Sequence, residues 1–181
     1  CLDMLVPEVR PGVPTEKIDR LVHDFAMDHG ALPATLMYRG YRKSTCTSIN
    51  HVVCHGMPGD RALKEGDIVN IDVTFIVDGW YGDSSRMYVI EPIARKAERL
   101  MEVTYEAMMA GINAIQPGKR VADIAMAITD VAKAARVSAF FSSRARNSSE
   151  NALANTPAGS ATTPTPAIAM RPAAMRPNTV S

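Results

Sequence analysis

The stretch VNIDVTFIVDGWYGDSSRMYV, residues 69–89, decides the fold. Val69, Ile71, Val73, Phe75 and Val77 alternate with Asn70, Asp72, Thr74 and Ile76, the period-2 pattern of a strand with two unlike faces. Asp78-Gly79 follows, a pair suited to a two-residue hairpin turn because both residues tolerate positive φ. The pattern predicts an antiparallel hairpin with Val77 opposite Trp80. Counting back, Thr74 falls opposite Asp83 and Asp72 opposite Ser85. Directly opposed residues share a face of the sheet, as do alternate residues of one strand. Asp72 and Asp83 therefore become diagonal neighbours on the polar face, roughly 7–8 Å apart at the backbone. A one-residue bulge at the turn would separate them.

Two carboxylates held this close repel, which raises the pKa of one unless positive charge lies nearby. Arg86 could supply that charge, or water could on an exposed face. A divalent metal is the other remedy, since aspartate oxygens are natural ligands for one. Spacing alone leaves both readings open.

The composition sets outer limits. A chain of 181 residues with 46% hydrophobic residues is long enough for one globular domain of ordinary size. Its net charge of +1 gives no reason to expect nucleic acid or an anionic membrane as partner. There is no apolar run of transmembrane length and no charged-then-apolar leader. Cys1, Cys46 and Cys54 form no C-x-x-C pair and read as thiols in a reducing, cytoplasmic setting. The first residue is Cys rather than Met, so translation is expected to start upstream.

Outward from the hairpin, Thr15 is expected to cap a helix with an apolar stripe of Ile18, Leu21, Val22 and Phe25, ended by Gly30. TLMYRGY (35–41) and TSINHVVCHG (47–56) are expected as strands. A second helix is expected from about Ala94 to Ala114, with Leu100, Val103, Ala107 and Met108 on its apolar face. The first pattern then restarts: Pro117-Gly118 with Ile124, Ala127, Ile128 and Val131 parallels Pro11-Gly12 with the first stripe. Two related halves would explain this; chance recurrence of a Pro-Gly turn before a helix is the alternative. From Arg136 to Ser181, Ala, Ser, Thr, Pro, Arg and Asn dominate, periodicity vanishes and AMRP occurs twice. The expected organisation is a domain over 1–135 and a disordered tail over 136–181.

His55, between Cys54 and Gly56, is placed to donate a hydrogen bond into a pocket, although a lone histidine at a strand end is more often structural. Cys54 and His55 as nucleophile and base are unfavourable, because neighbouring strand residues point to opposite faces. Cys46 is a candidate pocket lining.

Taken together, TSINHVVCHGMPGD, LKEGDIVNIDVTFIVDGWYGDSSRMY, GALPATLMYRGY and RPGVPTEKID closely resemble the bacterial type I methionine aminopeptidases, over about residues 1–135. The resemblance implies an α/β (α+β) pita-bread fold of the creatinase/aminopeptidase kind, two pseudo-symmetric halves around a curved antiparallel sheet. It implies two divalent metal ions (of the Co, Mn, Fe, Zn or Ni class), with Asp72 and Asp83 among their ligands. It implies that His55 contacts substrate and stabilises the tetrahedral intermediate, that Tyr38, Tyr41 and Cys46 line the substrate pocket, and that Asn50 and Val52 lie at a monovalent-cation site. The substrates would be N-terminal Met peptides of nascent proteins, met at the ribosome by a cytoplasmic monomer. No nucleic acid substrate and no membrane enter this picture.

The resemblance also has a break. The family takes one His and two Glu ligands, and a further His near substrate, from its second half. The chain has no histidine after His55, and its glutamates past Asp83 are Glu91, Glu98, Glu102, Glu106 and Glu150, none in a matching setting. The expectation is a first half essentially complete, a truncated second half with an unrelated or frame-shifted tail, at most one weakly bound ion, and little or no activity. A half-sheet of this kind is also expected to expose apolar surface prone to aggregation. Two other readings are a non-catalytic pita-bread interaction protein and a prolidase-like or aminopeptidase P-like enzyme.

Overall fold

The computed structural model describes residues 1–137, which form two compact units, 1–94 and 95–137. The expected tail over 136–181 lies, but for its first two residues, outside the described residues.

In the first unit, helix α1 (Thr15–Asp28) buries Ile18, Val22 and Ala26, with Leu21 and Phe25 half-buried beside them. It ends as expected, with Gly30 in the left-handed region at φ 66°. Its start differs from the expectation. Pro14 occupies the cap position, and the buried Thr15 hydroxyl donates to the Gly59 carbonyl (3.1 Å) and accepts from the Gly59 amide (2.9 Å). Gly59 offers that hydroxyl a donor and an acceptor at once, so it ties two distant segments together instead of capping its own helix.

The sheet is built around β3 (Ile68–Val77). Strand β4 (Trp80–Val89) pairs with it along its full length, while β1 (Leu32–Pro33) and β2 (Cys46–Ile49) follow one another on its other edge, all antiparallel. The hairpin register is the predicted one: Val77 faces Trp80, Thr74 faces Asp83 and Asp72 faces Ser85. Asp78 and Gly79 take φ of 50° and 83°, as a tight turn of this type requires. Val69, Ile71 and Val73 point into the core with Ile18 and Val22 of α1, Leu5, Val9 and Val13 of the N-terminal segment, and Leu63, Tyr88 and Ile90. Each such fully buried aliphatic side chain stabilises the fold by about 1.5–3 kcal/mol relative to exposure.

Two expected strands are corrected. Residues 35–41 form a turn and a single 3₁₀ turn at Tyr38–Gly40, with Met37, Arg39 and Gly40 all at positive φ. The Met37 amide donates to the Tyr41 carbonyl (2.6 Å) and the Thr35 hydroxyl to the Lys43 carbonyl (2.9 Å), closing the segment on itself. In 47–56 the strand stops at Ile49; Asn50 turns the chain at φ 53°.

The second unit is a helix pair, α2 (Arg95–Asn113) and α3 (Val121–Ala134). Val103, Ala107 and Gly111 are its buried residues on α2, whereas Leu100, expected on the apolar face, is exposed. A Cβ at Gly111 would lie 2.8 Å from Cγ1 of Ile128, so glycine is what lets α3 approach there. Gly118 sits at φ 82°, matching Gly12 at 83°, and each precedes its helix by the same three residues. The strands of a second copy would fall outside the described residues.

Candidate metal centre

Strand pairing places four polar side chains of three kinds on one face. Cys46 of β2 faces Asp72 directly, and Asp83 stands diagonally across on β4, opposite Thr74. The Thr74 hydroxyl donates to Oδ1 of Asp83 at 2.8 Å. Burial pushes the Asp72 carboxyl above its ordinary range, the neighbouring Asp83 carboxylate pushes it further, and His55 partly offsets both. The face thus concentrates negative charge.

Arg86, the cation that could have neutralised the pair, does not serve. It faces Ile71 on the opposite side of the sheet, where its guanidinium bonds Asp3 at 2.7 Å. Among the described residues no ion pair reaches Asp72 or Asp83. Two carboxylates, one of them half-buried, with no ion-pair partner among the described residues are a donor set that suits a divalent cation. The set is partial, because no group of three or more His, Cys, Asp or Glu side chains arranged for a metal occurs among the described residues.

The wall beside Asp72 is made by Tyr41 and Cys46. The Tyr41 hydroxyl donates to the Thr45 carbonyl (2.9 Å) and lies 3.5 Å from the Cys46 sulfur. Burial raises the Cys46 thiol above its ordinary pKa and drives the Tyr41 phenol up as well, so both stay neutral and act as lining. The backbone of Asp72 is fixed separately, by the Thr45 hydroxyl donating to its carbonyl. Tyr38 stands apart from this wall. It is exposed, with the Arg39 guanidinium 5.4 Å from its ring centre.

His55 is held by its neighbour. It takes a left-handed φ of 56° in a loop, not at a strand end. Gly56 then docks on β2: its carbonyl accepts from the Thr47 amide (2.7 Å) and its amide donates to the Ser48 hydroxyl (3.1 Å). A Cβ on Gly56 would overlap the Thr47 carbonyl. Ser48 and Gly56 are positioning residues that sequence reading missed, because only the folded loop brings them together. Asn50 is committed elsewhere through its side chain. Its amide donates to Oδ1 of the buried Asp67 (2.7 Å) and its carbonyl oxygen accepts from Ile68 (3.0 Å). Val52 donates its amide to the Ile49 carbonyl (3.1 Å), so both residues belong to the turn that launches the His55 loop.

Comparison with known proteins gives this arrangement a lineage. The methionine aminopeptidase of Rickettsia prowazekii is 54% identical over 132 residues, 73% of this chain and 51% of that protein. Methionine aminopeptidase A of Synechocystis sp. is 46% identical over 134 residues, 74% of this chain and 53% of that protein. The crystal structure of the Rickettsia prowazekii enzyme matches with a TM-score of 0.72 at 55% identity, covering 73% of this chain and 53% of that one. The methionine aminopeptidase structure from Thermotoga maritima gives 0.71 at 31% identity over 74% and 54%. A prolidase from Pyrococcus furiosus shares the fold alone, at 20% identity and a TM-score of 0.63. The chain spans about half the length of the curated relatives it matches, and over that span it has their pita-bread α/β architecture. The model of metallopeptidase family M24 matches residues 1–148. Family match, identity and shared fold agree: the chain belongs to metallopeptidase family M24, as a homologue of the methionine aminopeptidases.

Proposed function

We propose that this chain carries the aspartate half of a metal-dependent methionine aminopeptidase site, whose reaction is removal of the N-terminal methionine from cytoplasmic nascent chains. The observation that carries the reading is the Asp72–Asp83 pair on one face of the sheet, with Arg86, the cation that could have neutralised it, bonded to Asp3 on the other. Asp72 and Asp83 would hold the metal, which when bound lowers the pKa of a bound water and polarises the scissile carbonyl. Cys46 and Tyr41, both neutral, wall the site on the β2 side and suit an unbranched apolar side chain. His55, within electrostatic reach of Asp72, is the group to meet the carbonyl oxygen of the first peptide bond.

The described residues supply this half of the site. With two carboxylates and no third ligand arranged among the described residues, the chain holds one divalent ion weakly and has little or no hydrolytic activity. The test is hydrolysis of Met-Ala-Ser by the purified chain with Co²⁺ or Mn²⁺. No turnover above an Asp83→Asn control is the expected result. Turnover that Asp83→Asn abolishes would show that two aspartates suffice, and turnover on Xaa-Pro peptides instead would assign a prolidase-like specificity.

A further inference from the structure

We propose that Thr74 is a positioning residue for the metal-binding carboxylate of Asp83, an inference that rests on the reading of the aspartate pair as metal ligands. Three observations place it. Thr74 faces Asp83 directly across the hairpin, so their side chains rise from the same point of the same face. Its hydroxyl donates to Oδ1 of Asp83 at 2.8 Å. Its own backbone is pinned on the other edge, where its carbonyl accepts from the Ala34 amide at 2.8 Å. The donor is therefore fixed from both sides, while the acceptor lies on the exposed end of an edge strand.

An exposed carboxylate on a hairpin arm turns freely about its side-chain bonds, and next to Asp72 its lowest-energy course is to swing away. A hydrogen bond to Oδ1 opposes that. It leaves Oδ2 and the remaining lone pair of Oδ1 available to a metal shared with Asp72. Threonine suits the task because its branched side chain restricts the rotamer that carries the hydroxyl. Valine would fit the strand equally well in shape and β preference, so the hydroxyl is the only chemical difference between the two. Partners that orient ligands in this way are worth about 10–100-fold in metal affinity.

The experiment is Mn²⁺ titration of the full 181-residue chain by calorimetry, with free Mn²⁺ followed in parallel by electron paramagnetic resonance. Thr74→Val should weaken Mn²⁺ binding about tenfold or more, Thr74→Ser should restore most of it, and metal-free thermal unfolding should be the same for all three. Equal Mn²⁺ affinity of Thr74→Val and the natural chain overturns the positioning role and leaves the metal reading intact. A loss of affinity that Thr74→Ser does not rescue, accompanied by a lower metal-free melting temperature, also overturns it, by showing a structural role. Mn²⁺ binding by the natural chain no stronger than by Asp83→Asn overturns both readings together.

Discussion

Tyr88 is buried in the core and donates its hydroxyl to the Leu2 carbonyl at 2.6 Å. Burial raises its phenol from 10.0 to about 12, with Arg86 pulling weakly the other way. A folded pKa above the unfolded one means that the neutral phenol's stability is fully present below pH 10 and is lost as pH rises through about 12. Urea denaturation between pH 9 and 12 should show that loss, and Tyr88→Phe should remove the slope while costing about 1 kcal/mol at pH 8 for the unpaired Leu2 carbonyl. Asp72 follows the same logic at acid pH. Its raised carboxyl favours the protonated form in the fold, so that contribution is complete below the ordinary value of 3.8 and disappears as pH climbs through the raised one. At pH 7 without metal the charge is a liability, and Asp72→Asn should unfold at higher temperature than the natural chain, by on the order of 1 kcal/mol. The gain should vanish near pH 3, and Mn²⁺ should stabilise only the natural chain. A site that destabilises its own fold until loaded is the mark of binding chemistry rather than packing.

Among the elements, the hairpin was the legible one, and the loop carrying His55 was not. Period-2 alternation and Asp78-Gly79 are local signals, and together they set a register in which Asp72 and Asp83 had to meet. The turn at 35–41 is decided by hydrogen bonds that close it on itself and the loop after Ile49 by hydrogen bonds to β2, both with left-handed residues that are not glycine, Met37, Arg39, Asn50 and His55. Neither leaves a periodic trace, which is why TLMYRGY, expected as a strand, is a turn in the fold. The aspartate pair was therefore readable before the fold was known, whereas the means of holding His55 was readable only after it. Gly56 makes the difference concrete. Its backbone lies against Thr47 and Ser48 with no room for a methyl group. Gly56→Ala should detach the loop from β2, breaking both hydrogen bonds for about 2–3 kcal/mol. Limited proteolysis should then cut within residues 50–58, while Gly59→Ala, where a Cβ meets nothing within 4 Å, should leave the loop protected.

For the molecule as a whole, the consequence lies at the far side of the hairpin. Strand β4 runs ten residues, and among the described residues no strand pairs with its outer edge. The tip beyond it is apolar and uncovered: Trp80 is 80% exposed, Tyr81 62% and Val77 48%. Beside them opens a cleft of about 610 Å³ whose lining includes Phe25, Phe75 and Trp80 together with Asp3, Asp83 and Arg86. A long open edge next to an apolar tip is the combination that natural sheets blunt with charge or cover with another element. Asp83 and Arg86 give β4 some charge, but both are engaged, with Thr74 and Asp3. The chain should therefore self-associate, its weight-average mass in sedimentation rising with concentration. Trp80→Lys with Tyr81→Lys should return it to monomer at unchanged far-ultraviolet circular dichroism, because neither side chain belongs to the buried core and each lysine would place a charge where two tips meet. If the double variant associates as strongly as the natural chain, the contact runs elsewhere. If instead the natural chain is monomeric across the concentration range, the open β4 edge and its apolar tip do not drive association.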